Sequence, residues 1–183
     1  REVFQEQPQN VLYGQWLVEA LRENKLDQEA VVTARTVLGI SPNTPSVLVW
    51  FANIIAQLGN GEEAVKALEC ALQFDPGYVA GWLKLVEAHT RMGDLGAARS
   101  TLQKFLLRSG EEPQTLKEIA LACIRLGDHK EAINCLEHMK EFPNPLDADT
   151  HLLLAVLYQK FGEIEKGLDH VQSLTNGAIA DPV

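Results

Sequence analysis

The feature that most limits what this chain can become is a repeat. Gly59, Gly93 and Gly127 stand 34 residues apart, Ala30, Ala64, Ala98 and Ala132 keep the same interval, and so do Pro8, Pro42 and Pro76. Three residue types holding one period at fixed mutual offsets mark a stack of equivalent units, each burying its apolar face only against its neighbours. The register sets unit starts at Val11, Pro45, Val79, Pro113 and Ala148. The expected organisation is repeats over 11–44, 45–78, 79–112, 113–147 and 148–178. Residues 1–10 read as the tail of a preceding repeat and 179–183 as a linker. The fifth unit starts one residue late, and the extra residue falls in Pro143-Asn144-Pro145-Leu146-Asp147, a loop in which an insertion costs little.

Each unit reads as helix, short turn, helix. In the third, Trp82, Leu85, Val86 and His89 recur at helical spacing on one side. Gly93 suits the left-handed residue that ends a helix, and Asp94 suits the cap of the next one. Asn60 and Asp128 follow Gly59 and Gly127 in the same way. Pro45 and Pro113 fit a first helical turn, where the missing N–H is harmless. Ala30, Ala64, Ala98, Ala132 and Gly167 fall on second helices, opposite Val18, Ala52, Val86, Ala120 and Ala155 on first helices. Small side chains on facing helices let the axes approach closely.

The pattern resembles the tetratricopeptide repeat family over essentially the whole chain. The third unit supplies Trp82, Leu85, Gly93 and Ala98 of the family motif. The second supplies Ala52, Gly59, Ala64, Ala71 and Pro76, and the fifth Leu154, Ala155, Tyr158 and Gly162. Departures are Gly14 and His151 at the Trp place, Lys25 at the turn glycine, and Gly110 and Asn144 at the closing proline. The resemblance implies an all-α, right-handed α-solenoid of about five antiparallel helix-turn-helix repeats, cut from a longer array. Both ends of the stack are expected to be open, at Val3 and Phe4 and at Val171 and Leu174.

The resemblance also implies a concave groove lined by first helices, holding a protein or peptide. Carried onto this register, its residues are Leu12, Trp16 and Glu19, then Val49, Trp50 and Asn53, then Leu83, Lys84 and Glu87, then Lys117, Leu121 and Arg125. Trp16 and Trp50 take matching places one repeat apart. Either they anchor a ligand, with Val49 and Leu83 extending the apolar strip, or they pack on neighbouring helices and shape the groove. Trp82 belongs to the packing column. Most of the charge set of the family's carboxylate clamp is missing: Gln15, Glu19, Trp50 and Ala80 stand at its positions, and only Lys84 carries the right charge.

Little else suggests chemistry. The net charge is −9 with no Lys/Arg-rich run, which disfavours nucleic acid and anionic lipid. No apolar run is long enough to insert in a membrane. Cys70, Cys123 and Cys135 lie in helical patterns and read as small core residues, Cys123 and Cys135 as possible neighbours. His89 and His151 fall in core columns, while His129 and His138 read as surface residues. No His-Glu-x-x-His motif or phosphate loop occurs, so no enzyme activity, metal or cofactor is expected. The reading is a cytoplasmic interaction scaffold. Its alternatives are a self-assembling module, joined through uncapped ends, or a repeat region accompanying an enzyme or bacterial export machinery.

Overall fold

A computed structural model describes residues 10–108, 112–143 and 146–180, the last five by their backbone alone. The chain divides after Arg108 into two compact units. The first holds α1 (Val11–Glu23), α2 (Asp27–Ile40), α3 (Pro45–Gln57), α4 (Gly61–Phe74), α5 (Val79–Arg91) and α6 (Leu95–Arg108). The second holds α7 (Pro113–Leu126), α8 (His129–His138), a 3-10 turn (Met139–Glu141), α9 (Ala148–Lys160) and α10 (Ile164–Ala180). No strand occurs among the described residues, and the fold is an all-α array of helical hairpins. Helices pack in consecutive pairs: α1 with α2, α3 with α4, α5 with α6, α7 with α8 and α9 with α10. Within the first unit α5 also packs on both α3 and α4.

The turns explain why the period survives uneven sequence. Gly59, Gly93, Gly127 and Gly162 all have positive φ, between 74° and 87°. At each, the chain leaves one helix in the left-handed conformation, and the next N–H returns to a carbonyl of that helix, as Asp94 N does to His89 O at 3.0 Å. Lys25 stands at the same place in the first repeat and takes φ 58°, the one positive-φ residue other than glycine among those described. Its repeat keeps the same turn, with Leu26 N bonded to Leu21 O at 2.9 Å. Tertiary packing therefore imposes the turn and the lysine bears the strain.

Capping varies more than the sequence pattern suggests. Asp94 caps α6 through the Ala97 N–H at 2.8 Å. Asn10 caps α1 through Tyr13 N at 3.2 Å and Asp147 caps α9 through Thr150 N at 2.8 Å. Asn60 and Asp128 occupy cap positions without a side-chain cap bond. Glu62 and Glu63 instead place negative charge in the first turn of α4, where it complements the helix dipole.

The core runs along the small-residue columns. Ala30, Ala64, Ala98 and Ala132 are wholly buried, facing Val18, Ala52, Val86 and Ala120, which are also buried. Gly167 continues the column in α10, and a Cβ there would lie 3.3 Å from the Ala155 carbonyl oxygen of α9. Phe51, Leu68, Leu102, Phe105, Ile119, Leu136 and Leu154 fill the space beside the columns. Trp82 is buried, stacked on Phe105 at 5.8 Å and donating its indole N–H to Pro76 O at 2.8 Å. Four matching positions, Ala34, Leu68, Leu102 and Leu136, are at most 4% exposed, whereas their fifth counterpart, Val171, is 42% exposed. Leu174 beside it is half-buried, and Val3 and Phe4 lie outside the described residues.

Lys25→Gly is expected to stabilise the chain by about 0.5–1 kcal/mol, because glycine adopts the left-handed turn without Cβ strain. A denaturant midpoint that stays put or falls would show that the lysine conformation is not strained.

Candidate partner-binding surface

In the first unit, the face carried by α1, α3 and α5 combines apolar anchors with a self-satisfied set of charges. Leu12 and Trp16 lie one turn apart on α1, and Trp16 is 60% exposed. Tyr13 flanks the indole at 5.6 Å. Trp50 and Leu83 are half-buried. Val49 departs from the expectation of an open apolar strip: it is buried and belongs to the packing, because this stretch of α3 is enclosed on several sides at once, with Val47, Leu48 and Phe51 also buried.

The polar groups of this face pair with each other. Arg22 reaches from α1 to α3, bonding Glu19 at 2.8 Å and the Gln57 side-chain oxygen. Gln57 in turn donates to Asn53 at 3.2 Å. On α5, Glu87 holds Lys84 at 2.8 Å and Arg91 at 2.6 Å. Asn53, Lys84 and Glu87 line one small recess between α3 and α5. Exposed pairs of this kind contribute only about 0.2–1 kcal/mol each, so they orient side chains more than they stabilise. The face thus sets exposed indole and leucine beside charges already matched.

The second unit places its predicted residues differently. Leu121 is half-buried on α7 and Arg125 is exposed. Lys117 extends to Asp147 at 2.6 Å, pinning the loop that enters α9. The Lys117 ammonium, together with the Thr150 N–H, holds the Asp147 carboxyl down at about 2. The lysine is thus engaged in joining α7 to α9.

A polar cluster around the buried His170 in the same unit left little trace in the sequence pattern. His170, on α10, is 5% exposed, and its Nδ1 lies 2.9 Å from Nδ1 of His151 on α9. Its Nε2 lies 3.3 Å from Glu137 Oε1 and 3.4 Å from Lys140 Nζ. Tyr158 stacks on the imidazole at 5.9 Å and donates its hydroxyl to Glu137 at 2.9 Å. Burial raises the Glu137 carboxyl, but hydrogen bonds from Lys140 and Tyr158 outweigh it and leave the group below its ordinary value. Burial and the bond to Glu137 push the Tyr158 phenol up to about 12. Burial, then the Lys140 charge, pull His170 below the usual histidine value. The core-histidine expectation is corrected here: His89 and His151 are half-buried, and His170 is the histidine inside. His129 and His138 are half-buried on α8. The only clue was that His170 lies three residues after Gly167, beside the small-residue column.

The two neighbouring cysteines pack as thiols. A hydrogen bond between Cys123 and Cys135, and then burial, push the Cys123 thiol well up. Among the described residues no three His, Cys, Asp or Glu side chains are placed to hold a metal ion, and no helix is long and apolar enough to cross a membrane.

A tetratricopeptide repeat model matches residues 56–118, and a second matches residues 118–141. Residues 56–141 are tetratricopeptide repeats. Over 80 residues it is 34% identical to anaphase-promoting complex subunit 7 of Arabidopsis thaliana, a match covering 43% of this chain and 14% of that protein. The tetratricopeptide hairpins also superpose on PilW, described as a widely conserved type IV pilus biogenesis factor. The TM-score is 0.66 at 20% identity, covering 98% of this chain and 83% of PilW. YrrB, described as a TPR protein with an unusual peptide-binding site, superposes with a TM-score of 0.55 at 15% identity, covering 93% of this chain and 88% of YrrB. These structural likenesses establish the fold.

Asp147→Ala removes a cap and an ion pair together and is expected to cost about 1–2 kcal/mol at pH 7. Because the folded carboxyl is held below its ordinary value near 3.9, its contribution is present above that value and declines as pH falls through it towards 2. Urea midpoints of the two proteins should therefore stay apart down to about pH 4 and converge between about pH 4 and 2. A gap that stays constant would contradict the pairing.

Proposed function

We propose that this chain is a protein-binding scaffold, and that its first-helix face in the first unit, centred on Leu12, Trp16, Trp50 and Leu83, receives an apolar segment of a partner peptide or protein. The observation that carries the reading is Trp16, a large aromatic side chain left 60% exposed on a well-packed helix. Such an indole gains most by entering a partner's pocket or being covered by it, which is why Trp is enriched among the residues that dominate binding energy. The matched charges of Glu19 with Arg22, and of Glu87 with Lys84 and Arg91, suit a polar rim that fixes register.

The repeats support a binding role, as does the likeness to a subunit of the anaphase-promoting complex and to YrrB, a repeat protein described as having an unusual peptide-binding site. The net charge of −9 disfavours nucleic acid as the partner. Lys84 and Lys117, two of the cations that a carboxylate clamp could use, are already ion-paired. An apolar or amphipathic ligand fits better than an acidic chain end.

The test begins with binders selected from a displayed peptide library against the intact chain. Trp16→Ala should weaken them about 5- to 150-fold, equivalent to ~1–3 kcal/mol, with stability unchanged to about 0.5 kcal/mol. Val32→Ala, equally exposed on α2, should change affinity less than twofold. Equal affinities for wild type and Trp16→Ala would remove this face as the binding surface.

A further inference from the structure

We propose that His151 and His170 form an acid-sensitive latch that holds α10 against α9 near neutral pH and releases it as the solution acidifies. The latch stands on one distance. Two imidazole Nδ1 atoms lie 2.9 Å apart, each pointing at the other. Such a contact needs one N–H and one lone pair, so the pair carries a single proton between these two nitrogens. Two arrangements satisfy the rest of the cluster. Either His151 donates and His170 directs its Nε2–H at Glu137, or His170 donates through Nδ1 and its Nε2 accepts from Lys140. In both, the two rings are neutral.

A first extra proton can be accommodated, with His170 donating from both nitrogens to Glu137 and to His151. A second cannot, because it sets two N–H groups head to head and places two cations in a site already containing Lys140. The surroundings are crowded with charge from every packed element. Glu137 and Lys140 come from α8 and its terminal turn, Tyr158 from α9, and Lys166 and Asp169 from α10; with Ser173 they border a recess of about 410 Å³. Lys166 is occupied by Glu163 at 2.6 Å and Lys140 by Glu137 at 2.6 Å, so the nearby carboxylate is already shared. His151 is half-buried on α9, and His170, only 5% exposed, sits on the side of α10 that faces it.

The sign follows directly. Released rings take up protons near the ordinary histidine value of about 6.5, while the head-to-head Nδ1 contact leaves no place for a second added proton. Above that value closure is fully supported. As pH falls through it, the open form binds more protons, and each one makes opening up to tenfold easier per pH unit. Glu137 stays ionised across this range and does not reverse the trend. What is released is the packing of α10 against α9.

Amide hydrogen exchange of residues 168–174, corrected for intrinsic rates, reads the latch at pH 7.5 and 5.5 in the intact chain. Protection should fall at least tenfold in the wild type, while amides of α4 change less than threefold. In His151→Asn, which keeps a neutral hydrogen-bonding group beside His170 without the second titrating ring, the fall should be threefold or less. His151→Gln serves the same purpose if the asparagine variant melts early. Imidazole ¹⁵N shifts at pH 7.5 should show one protonated Nδ1 in the pair. Unchanged wild-type protection, or an equal loss in the neutral variants, overturns the proposal.

Discussion

Everything in this fold depends on how closely the two helices of each hairpin approach. At Gly167 the neighbouring backbone is so near that even a methyl group would touch the Ala155 carbonyl oxygen at 3.3 Å. In the other four repeats an alanine fills this place and is entirely buried. Close approach brings the flanking large residues, such as Phe51 with Leu68, into a continuous interior and removes them from water. Burying a side chain of this size contributes about 1.5–3 kcal/mol relative to leaving it exposed. A larger residue in the column would push the axes apart and weaken many such contacts together.

The left-handed turn is subordinate to that packing. Glycine makes it without strain in four repeats, yet Lys25 makes the same turn in the first. If the turn residue directed the hairpin, that repeat would deviate. Its second helix instead starts in register, with Ala30 in the column and wholly buried. The helix termini show the same hierarchy. Side-chain caps are present at Asn10, Asp94 and Asp147 and missing at Asn60, and the hairpins form in either case.

Period and packing were legible in the sequence because they repeat. A residue type returning every 34 positions carries the same message several times, and the alanine column states both spacing and fit. Single-copy features were not legible. Lys117 and Asp147 are 30 residues apart, and their pairing depends on where the irregular loop before Ala148 delivers the carboxylate. His170 meets His151, Glu137 and Lys140 only because three helices converge there, and no periodic signal records that. The candidate surface falls between these cases. The register selected Leu12, Trp16, Val49 and Trp50 together, but enclosure on several sides decided that Val49 is packed while Trp16 stays open. Degree of burial is a property of the stack and is not written in any one repeat.

The most direct test of close helix approach is the unfolding free energy of Ala64→Leu beside that of Val32→Leu. Ala64 lies in the buried column and Val32 on the exposed side of α2. Overpacking the column is expected to cost about 1–3 kcal/mol or more, with the surface change within about 0.5 kcal/mol. If Ala64→Leu unfolds at the same denaturant concentration as the unaltered chain, the helices are not held together at the small-residue column.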